Sequence, residues 1–381
     1  MLEGRRPRYR LRRVLVGMGL VSLVPVLLVA VSLAGAMRTP GNEGLQAKWA
    51  DWMRNHHASW LVNRVEHSYY AHQAPPVGGQ PRGLSAVRRP SGNVVHRAVP
   101  MKRARRVPKP VRLAVGGLVG EGRWRPTGPL VNGGPAMYVA DTRPDKVHTS
   151  VLTTLVWMDP SALRLRLVPG AREPGGNWRQ PPDIEGSALR SIVAAFNGGF
   201  RFKDAHGGFF AEGREAVPLQ NGAASLIIGR SGSVDVGQWG RDARMSPGTE
   251  SVLQNLVLLV DHGRPVPGID AGDTKQWGQT LGNRVYVWRS AVGVDASGGV
   301  LYAAGPGLRA STLADVMARA GAVRAMTLDL NPTWVTFNFF DHTDGHNLEV
   351  VHGRKLIDTM HRPADRYLSK ESRDFITVST S

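Results

Sequence analysis

Short alternating or continuous apolar runs dominate the C-terminal two-thirds of the chain, and this pattern is typical of β-strands. In residues 163–168, leucine alternates with arginine, which predicts a strand with one buried face. Further strands are predicted where β-branched and apolar residues cluster, over 136–142, 150–158, 253–261 and 325–330. Turn residues between paired runs predict two hairpins, 223–229 with 234–238 and 289–294 with 300–304.

Helical spacing of apolar residues occurs twice in the same region. It predicts one helix over 183–195 and another over 312–321, with Ser311 or Thr312 as the N-cap and Gly321 at the end. The fold class predicted from these elements is α+β: a β-rich, mixed-sheet domain over residues 113–381 with a few helices. A transmembrane helix and a basic linker precede this domain.

The N-terminal region has a different pattern. Residues 14–36 carry no charged side chain and are long enough to span a bilayer as a helix. The arginine-rich residues 1–13 predict a cytoplasmic tail, which places the C-terminal domain outside the cytoplasm of a single-pass membrane protein. The alternative is a signal peptide cleaved after Ala36, because Ala34-Gly35-Ala36 resembles a cleavage site. Both interpretations predict export.

Two further segments connect this anchor to the domain. Residues 37–70 are predicted to contain a Trp-rich amphipathic stalk helix, which packs on the domain or membrane surface or binds a partner. Residues 71–112 form a basic linker rich in Pro and Gly, which either binds anionic polymers or is simply solvated.

The net charge of +18 is unevenly distributed. Residues 1–112 contain 20 Lys and Arg against 4 Asp and Glu, whereas residues 113–381 contain 28 against 26. The nearly neutral domain argues against nucleic-acid binding and places the positive charge where membranes and anionic wall polymers would meet it. The absence of Cys excludes disulfides, Cys-based zinc sites and a Cys nucleophile. No nucleotide-binding P-loop and no G-x-S-x-G elbow occurs.

Several short motifs follow one another in a fixed order. They are Asn197-Gly198-Gly199-Phe200, the strand 289–294 (RSAVGV), a helix leading into Leu328-Asp329, Arg362-Pro363 and Ser372-Arg373-Asp374-Phe375. The ordered set, over about residues 135–381, resembles the phosphodiester glycosidase family. That resemblance implies an exported glycoside hydrolase that cleaves sugar-1-phosphodiester bonds, here in envelope glycans or cell-wall polymers.

One motif departs from the family pattern. Where the family has L-D-G-G-G-S-[ST], this chain has Leu328-Asp329-Leu330-Asn331-Pro332-Thr333-Trp334. Glycines let backbone N–H groups approach an anion, and proline has no N–H, so the altered segment cannot reproduce that phosphate-binding loop. The alternative function is therefore a non-catalytic envelope protein that binds phosphorylated glycans or assists exopolysaccharide assembly. A scaffold that binds a membrane partner through its stalk helix is a third hypothesis.

Candidate site residues follow from the resemblance and from side-chain chemistry. Arg289 is the predicted phosphate clamp, Asp329 the predicted proton-transfer group, and Asn197 positions the sugar. Each also has a purely structural interpretation. Arg289 would pair with a surface carboxylate, Asp329 would cap a turn after its strand, and Asn197 would form a tight turn without a ligand. Substrate-binding candidates are Gly198, Gly199, Asn331, Glu212 and Trp334.

Cofactor and metal requirements stay open. The cluster of Asp341, His342, Asp344 and His346 contains metal-ligating residue types, but its spacing matches no standard site and favours a polar loop. Asp270 and Asp273 are interpreted in the same way.

Overall fold

The computed structural model describes residues 27–38, 45, 48–49, 52–53, 56, 75–82, 84, 108–269, 274–278, 286–342 and 347–381. The chain separates into two compact units, Met1–Val65 and Glu66–Ser381.

The first unit contains a helix over residues 27–37. Trp52 Nε1 donates a hydrogen bond to Ser32 Oγ at 3.0 Å, and the His56 ring stacks on Trp52 with ring centroids 4.5 Å apart. Within the described parts of the chain, no helix is both long and apolar enough to cross a membrane. Residues 14–26 of the predicted anchor lie outside the described residues.

The described residues of the second unit form three antiparallel sheets. The first has the spatial order β1-β2-β3-β14-β13-β15-β11-β12. Its strands are β1 Arg125–Val131, β2 Gly134–Thr142, β3 Thr153–Met158, β11 Leu258–Asp261, β12 Arg264–Pro265, β13 Val287–Asp295, β14 Val300–Leu308 and β15 Ala322–Thr327.

The other two sheets have five strands each, in the orders β7-β6-β10-β8-β9 and β17-β16-β5-β18-β4. The second sheet contains β6 Phe209–Ala211, β7 Arg214–Val217, β8 Ala224–Gly229, β9 Val234–Gln238 and β10 Thr249–Gln254. The third contains β4 Leu163–Val168, β5 Ile192–Asn197, β16 Phe337–His342, β17 Val351–Lys355 and β18 Phe375–Thr380.

Helices are few in this unit. They are α1 Phe202–Ala205 and α2 Ala310–Arg319, with 3-10 turns at Gly186–Arg190, Thr274–Trp277 and Arg366–Leu368. The prediction of a β-rich domain with a few helices is therefore confirmed. Both predicted hairpins are also present, as β8–β9 and β13–β14.

Side chains from all three sheets meet in the largest apolar cluster, which includes Val156, Phe196 and Leu226. A second cluster lies where α2 packs on the first sheet through Leu313 and Met317. In β4, Leu163, Leu165 and Leu167 are buried while the two arginines between them are exposed, as their alternation predicts.

The predicted helix over 183–195 was wrong. Only the 3-10 turn Gly186–Arg190 forms, with no buried residue, and the next residues form the fully buried strand β5. A short continuous apolar run fits a buried strand as well as a helix. The neighbours β16 and β18 pair with both edges of this run, and that pairing selects the strand.

The single strand predicted over 253–261 is divided between two sheets. Leu256 has a positive φ of 55°, and Asn255 Nδ2 donates to the Thr327 and Leu328 carbonyl oxygens at 2.8 and 2.9 Å. The predicted cap of α2 was also wrong. The N-cap is Arg309, which makes no side-chain cap hydrogen bond.

Part of the predicted linker contacts the domain. Gly78 N–H donates to the Val147 carbonyl oxygen at 2.7 Å, and Thr149 Oγ1 donates to the Gly79 carbonyl oxygen at 2.8 Å. Gly78 and Gly79 therefore lie against the turn that precedes β3.

Candidate functional site

Asn197, the last residue of β5, has its side-chain amide enclosed by hydrogen bonds. Its Oδ1 accepts from the Tyr302 hydroxyl and the Thr336 amide, both at 3.1 Å. Its Nδ2 donates to the Gly198 carbonyl oxygen at 2.9 Å and to Ser290 Oγ at 3.1 Å. The donors of this amide are thus used inside the protein, where they hold the start of the glycine turn.

Ser290 joins Asn197 to Asp329. Besides its contact with Asn197, Ser290 Oγ accepts from the Asp329 amide at 3.1 Å, and the Ser290 amide donates to the Asp329 carbonyl oxygen at 2.8 Å. Arg289 precedes Ser290 in β13. The tertiary structure therefore brings Asn197 and Asp329 together at Ser290, whereas the Arg289 side chain contacts other groups.

The Asp329 carboxylate is buried, and both of its oxygens accept hydrogen bonds. Its Oδ1 accepts from the Leu330 and Asn331 amides at 2.7 and 2.8 Å, and its Oδ2 accepts from Arg373 Nη2 at 2.9 Å. Burial raises the pKa of Asp329, while Arg373 and the two amides oppose that rise.

The altered segment after Asp329 uses its own backbone amides. Asn331 Oδ1 accepts from the Thr333 amide at 2.9 Å, and the Asn331 carbonyl oxygen accepts from the amides of Trp334 and Val335 at 2.8 and 3.0 Å. Pro332 has no N–H. All backbone amides of residues 330–335 therefore donate within this turn, and none is left to bind a phosphate.

Leu330 fills the place of the first glycine in the family pattern. It packs against an apolar cluster formed by Phe200, Ala205 and Leu256. A Cβ atom at Gly278 would lie 2.3 Å from Leu330 Cδ2 and 2.8 Å from the Phe200 ring, so Leu330 and Phe200 close tightly over Gly278. Gly278 therefore lies against Phe200, the last residue of the Asn197–Phe200 motif, and against Leu330 in the segment after Asp329.

Arg289 reaches the same segment from β13. Its Nη1 donates to the Trp277 carbonyl oxygen at 3.2 Å and its Nε to the Leu308 carbonyl oxygen at 3.0 Å. The side chain belongs to a residue that is only 4% exposed, and burial lowers its pKa to about 10. No carboxylate among the described residues contacts the guanidinium.

The Gly198–Gly199 turn packs on Asp374, which was not among the candidates from the sequence. The Gly198 amide donates to the Asp374 carbonyl oxygen at 3.2 Å, and the Gly199 amide contacts Asp374 Oδ2 at 3.4 Å. A Cβ at position 198 would lie 1.8 Å from that carboxyl oxygen, so only glycine fits. Within the described residues, Asp374 Oδ1 has no hydrogen-bond partner. Burial raises the pKa of Asp374 to about 7, with Glu173 adding to the rise and Arg373 opposing it.

Arg373 is a second residue missing from the candidate set. Besides its ion pair with Asp329, it donates to the Gly199 carbonyl oxygen. Its guanidinium lies 4.4 Å from the centroid of the Trp334 ring, and those of Arg366 and Arg362 lie at 5.4 and 5.7 Å. The motif Ser372-Arg373-Asp374-Phe375 was the available signal for both Arg373 and Asp374, although nothing in its spacing points to Asp329.

The substrate-binding candidates are in different surroundings. Gly198, Gly199, Asn331 and Trp334 belong to the neighbourhood of Asp329 described above, and Trp334 is 6% exposed. Glu212 lies in the β6–β7 turn, where its carboxylate accepts from the amides of Arg179 and Gln180 at 3.0 and 2.9 Å. Burial favours a higher pKa for Glu212, but these hydrogen bonds outweigh it and lower the pKa. Its role in substrate binding stays a prediction.

The possible metal cluster is described only in part. Asp341 pairs with Arg354 at 3.2 Å, and both His342 nitrogens contact backbone carbonyl oxygens. Asp344, His346, Asp270 and Asp273 lie outside the described residues. In the part of the chain that the structure covers, no three His, Asp or Glu side chains are grouped so that they could hold a metal ion.

Comparison with protein families adds an independent observation. Residues 190–329 match the phosphodiester glycosidase family. This match confirms the resemblance seen in the motifs. The matching segment contains Asn197, both turn glycines and Arg289, and it ends at Asp329, directly before the altered segment. Arg373 and Asp374 lie beyond it.

The solved structures that match this chain have low sequence identity and low TM-scores. A zebrafish N-acetylglucosamine-1-phosphodiester alpha-N-acetylglucosaminidase catalytic domain, auto-inhibited by its pro-peptide, is 16% identical, with a TM-score of 0.41. The match covers 64% of this chain and 81% of that chain. A hypothetical protein from Synechocystis is 14% identical, with a TM-score of 0.39 and coverage of 68% and 64%. The comparison with curated proteins finds no match.

Proposed function

We propose that this chain is an exported, membrane-anchored hydrolase that cleaves sugar-1-phosphodiester bonds in envelope glycans. The observation that carries the proposal is that Ser290 joins Asn197 to Asp329, with Arg289 next to Ser290 in β13, within the segment that matches the phosphodiester glycosidase family. Residues that act together on one substrate need mutual reach, so the proposal requires the Arg289 guanidinium and the Asp329 carboxylate to contact the same bound substrate.

The reaction assigns a separate task to each group. Water attacks the anomeric carbon, the bond from that carbon to the phosphate oxygen breaks, and the phosphate leaves with the bonding electrons. The water proton passes to a base, for which the buried Asp329 carboxylate is the candidate. Arg289 carries a positive charge that no described carboxylate neutralises, so it suits the phosphate.

A specific observation supports the alternative, a non-catalytic protein that binds phosphorylated glycans. The Asp329 carboxylate already accepts two backbone amides and an Arg373 hydrogen bond. In this alternative, Asp329 organises the turn and Arg289 binds an anionic glycan without turnover.

The test is hydrolysis of α-N-acetylglucosamine-1-phosphodiesters and wall polymers by the full chain. For the hydrolase, we expect Asp329→Asn to lower turnover by about 10²–10⁴-fold, because a general base contributes on that order. Arg244→Gln, at an exposed site in the β9–β10 connection, is the matched control and should keep full activity. If the folded parent releases sugar from no substrate yet still binds these glycans, the non-catalytic alternative is correct.

Membrane anchoring has its own test. A fusion that reports on compartment, placed at the C-terminus, should be active only outside the cytoplasm, and the full-length chain should stay in the membrane fraction. Release of a shortened chain that begins after Ala36 would instead establish cleavage of a signal peptide.

A further inference from the structure

Trp288, the residue directly before the motif strand 289–294, was not among the candidates from the sequence. Its side chain is half-buried and packs in part on the largest apolar cluster, which also contains Val292 and Val294 of the same strand. Successive side chains of a strand alternate between its two faces, so Trp288 shares the face of Ser290. The two residues are about 7 Å apart along the strand. Trp288 therefore lies beside the place where Ser290 joins Asn197 to Asp329.

His361 reaches Trp288 from a different part of the chain. Its ring is edge-on to the indole, with the ring centroids 6.3 Å apart and the planes at 74°. His361 is exposed, and the guanidinium of the next residue, Arg362, lies 5.7 Å from the Trp334 ring centroid. Two separate segments that both adjoin the neighbourhood of Asp329 thus place aromatic rings side by side at the protein surface.

The surroundings of His361 give this pair a polar component. Lys355 Nζ donates to the Met360 carbonyl oxygen at 2.7 Å, directly before His361. Partial burial lowers the pKa of His361 below its ordinary value of 6.5, and the charge of Lys355 lowers it further. The imidazole is therefore neutral at pH 7 and has one donor and one acceptor nitrogen. The adjacent lysine adds a positive charge that suits a glycan carrying phosphate.

Trp334, the aromatic candidate from the sequence, is in a different environment. It is only 6% exposed, and the Arg373 guanidinium lies 4.4 Å from its ring centroid. Trp334 thus offers a ligand little of its surface, whereas Trp288 keeps part of its ring at the surface. The C–H hydrogens on one face of a pyranose ring carry a small positive charge, and the face of an indole is negative, so the two surfaces attract each other.

We propose that Trp288 and His361 form a sugar platform, on which the indole packs against the apolar face of a pyranose ring and the imidazole bonds to one of its hydroxyl groups. This inference rests on the proposed function for the class of ligand, a glycan that carries phosphate. It assigns recognition of the sugar ring to a residue outside the motif pattern. The sugar platform would bind the ring whether or not its bond to phosphate is then cleaved.

Isothermal titration of the detergent-solubilised full chain with N-acetylglucosamine-1-phosphate tests the sugar platform, and inorganic phosphate is the probe without a sugar. Trp288→Leu removes the aromatic face, so we expect the affinity for the sugar phosphate to fall by roughly tenfold. The affinity for inorganic phosphate should not change. Trp288→Phe keeps an aromatic face and should bind the sugar phosphate within about threefold of the parent. His361→Ala loses one hydrogen bond and should weaken binding by about threefold or more.

Two controls separate a binding defect from a folding defect. Trp124 is another half-buried tryptophan, and it packs on the second apolar cluster, so Trp124→Leu should bind as the parent does. The second control uses the unaltered chain. In its NMR spectrum, the indole N–H resonance that Trp288→Phe removes should shift when the sugar phosphate is added.

The outcomes distinguish the sugar platform from the proposed hydrolase. Equal affinity of Trp288→Leu and the parent for the sugar phosphate, an unshifted indole resonance, or no binding by the folded parent would overturn the sugar platform. Binding that requires an aromatic ring at position 288, with no turnover by any variant, would keep the sugar platform and remove the hydrolase. Turnover with the same KM in Trp288→Leu and the parent would keep the hydrolase and remove the sugar platform.

Discussion

Arg289 and Arg373 are both buried next to the same motif, but their charges are balanced in different ways. Arg373 forms an ion pair with Asp329 and donates to the Gly199 carbonyl oxygen. Among the described residues, Arg289 donates to the carbonyl oxygens of Trp277 and Leu308 and contacts no carboxylate. Burial alone therefore does not identify an arginine as a ligand-binding residue. A buried arginine with a protein counter-charge holds structure together, whereas one without it retains capacity for an anionic ligand.

The largest expected effect comes from breaking the balanced pair. Arg373→Met leaves the Asp329 carboxylate buried without its cation, so we expect the free energy of unfolding to fall by about 3–5 kcal/mol. Urea denaturation measures this loss. The exposed pair of Arg190 and Glu349 is the control, and Arg190→Met should cost less than about 1 kcal/mol.

A double variant sharpens the interpretation of that loss. Adding Asp329→Asn to Arg373→Met removes the stranded charge and should restore part of the stability. If the double variant loses as much stability as the two single variants together, Arg373 and Asp329 are not coupled. Arg373 would then not differ from Arg289 in having a counter-charge.

Ionisation of Asp374 should have an effect of intermediate size on the free energy of unfolding, and this effect depends on pH. Its pKa is raised to about 7 in the folded protein by burial, from an ordinary value near 3.8. The folded state thus binds the proton more tightly than the unfolded state does. The stability from this group is present at low pH and is lost as pH rises through about 7, by at most a few kcal/mol.

Denaturation at a series of pH values measures this dependence. Asp374→Asn keeps the shape of the side chain but cannot ionise, so its stability should fall less between about pH 4 and pH 7 than that of the parent. A slope identical to the parent's would show that Asp374 ionises normally in the folded state.

The smallest expected effect on stability is that of Arg289→Met. No carboxylate in the described structure loses a partner, and only two carbonyl oxygens lose a donor, at a cost of about 1–3 kcal/mol that release of the buried charge partly offsets. Its effect should instead appear with ligand: phosphate should raise the melting temperature of the parent but not of this variant. Equal phosphate stabilisation of both proteins would contradict a ligand role for Arg289.

Much of the sheet architecture was predictable from local pattern. The alternation in β4 and the turn residues of the β8–β9 and β13–β14 hairpins act within a few residues, so their outcome depends little on distant contacts. β5 was mistaken for a helix because its apolar run is compatible with both structures, and pairing with β16 and β18 resolves it. The division of residues 253–261 depends on Asn255, whose partners lie more than 70 residues away in the chain.

In the candidate site, too, some features follow from the local sequence and others depend on distant contacts. The order of the motifs along the sequence selected the residues of the glycine turn, Arg289 and Asp329 as candidates, and their roles stay predictions. The loss of the glycines after Asp329 was visible as well, since Leu330 and Pro332 have fixed conformational limits wherever they occur.

What the sequence determined by itself was the β-rich character, the motif order and the separation of a basic N-terminal region from a nearly neutral domain. These depend on residue type, spacing and charge, which need no distant partner. Only the tertiary structure decided that Arg373 neutralises Asp329, that Asp374 supports the glycine turn and that Arg289 lies beside the start of α2. Hydrogen bonds and ion pairs act over a few Å, and folding alone brings residues so far apart in the chain within that distance.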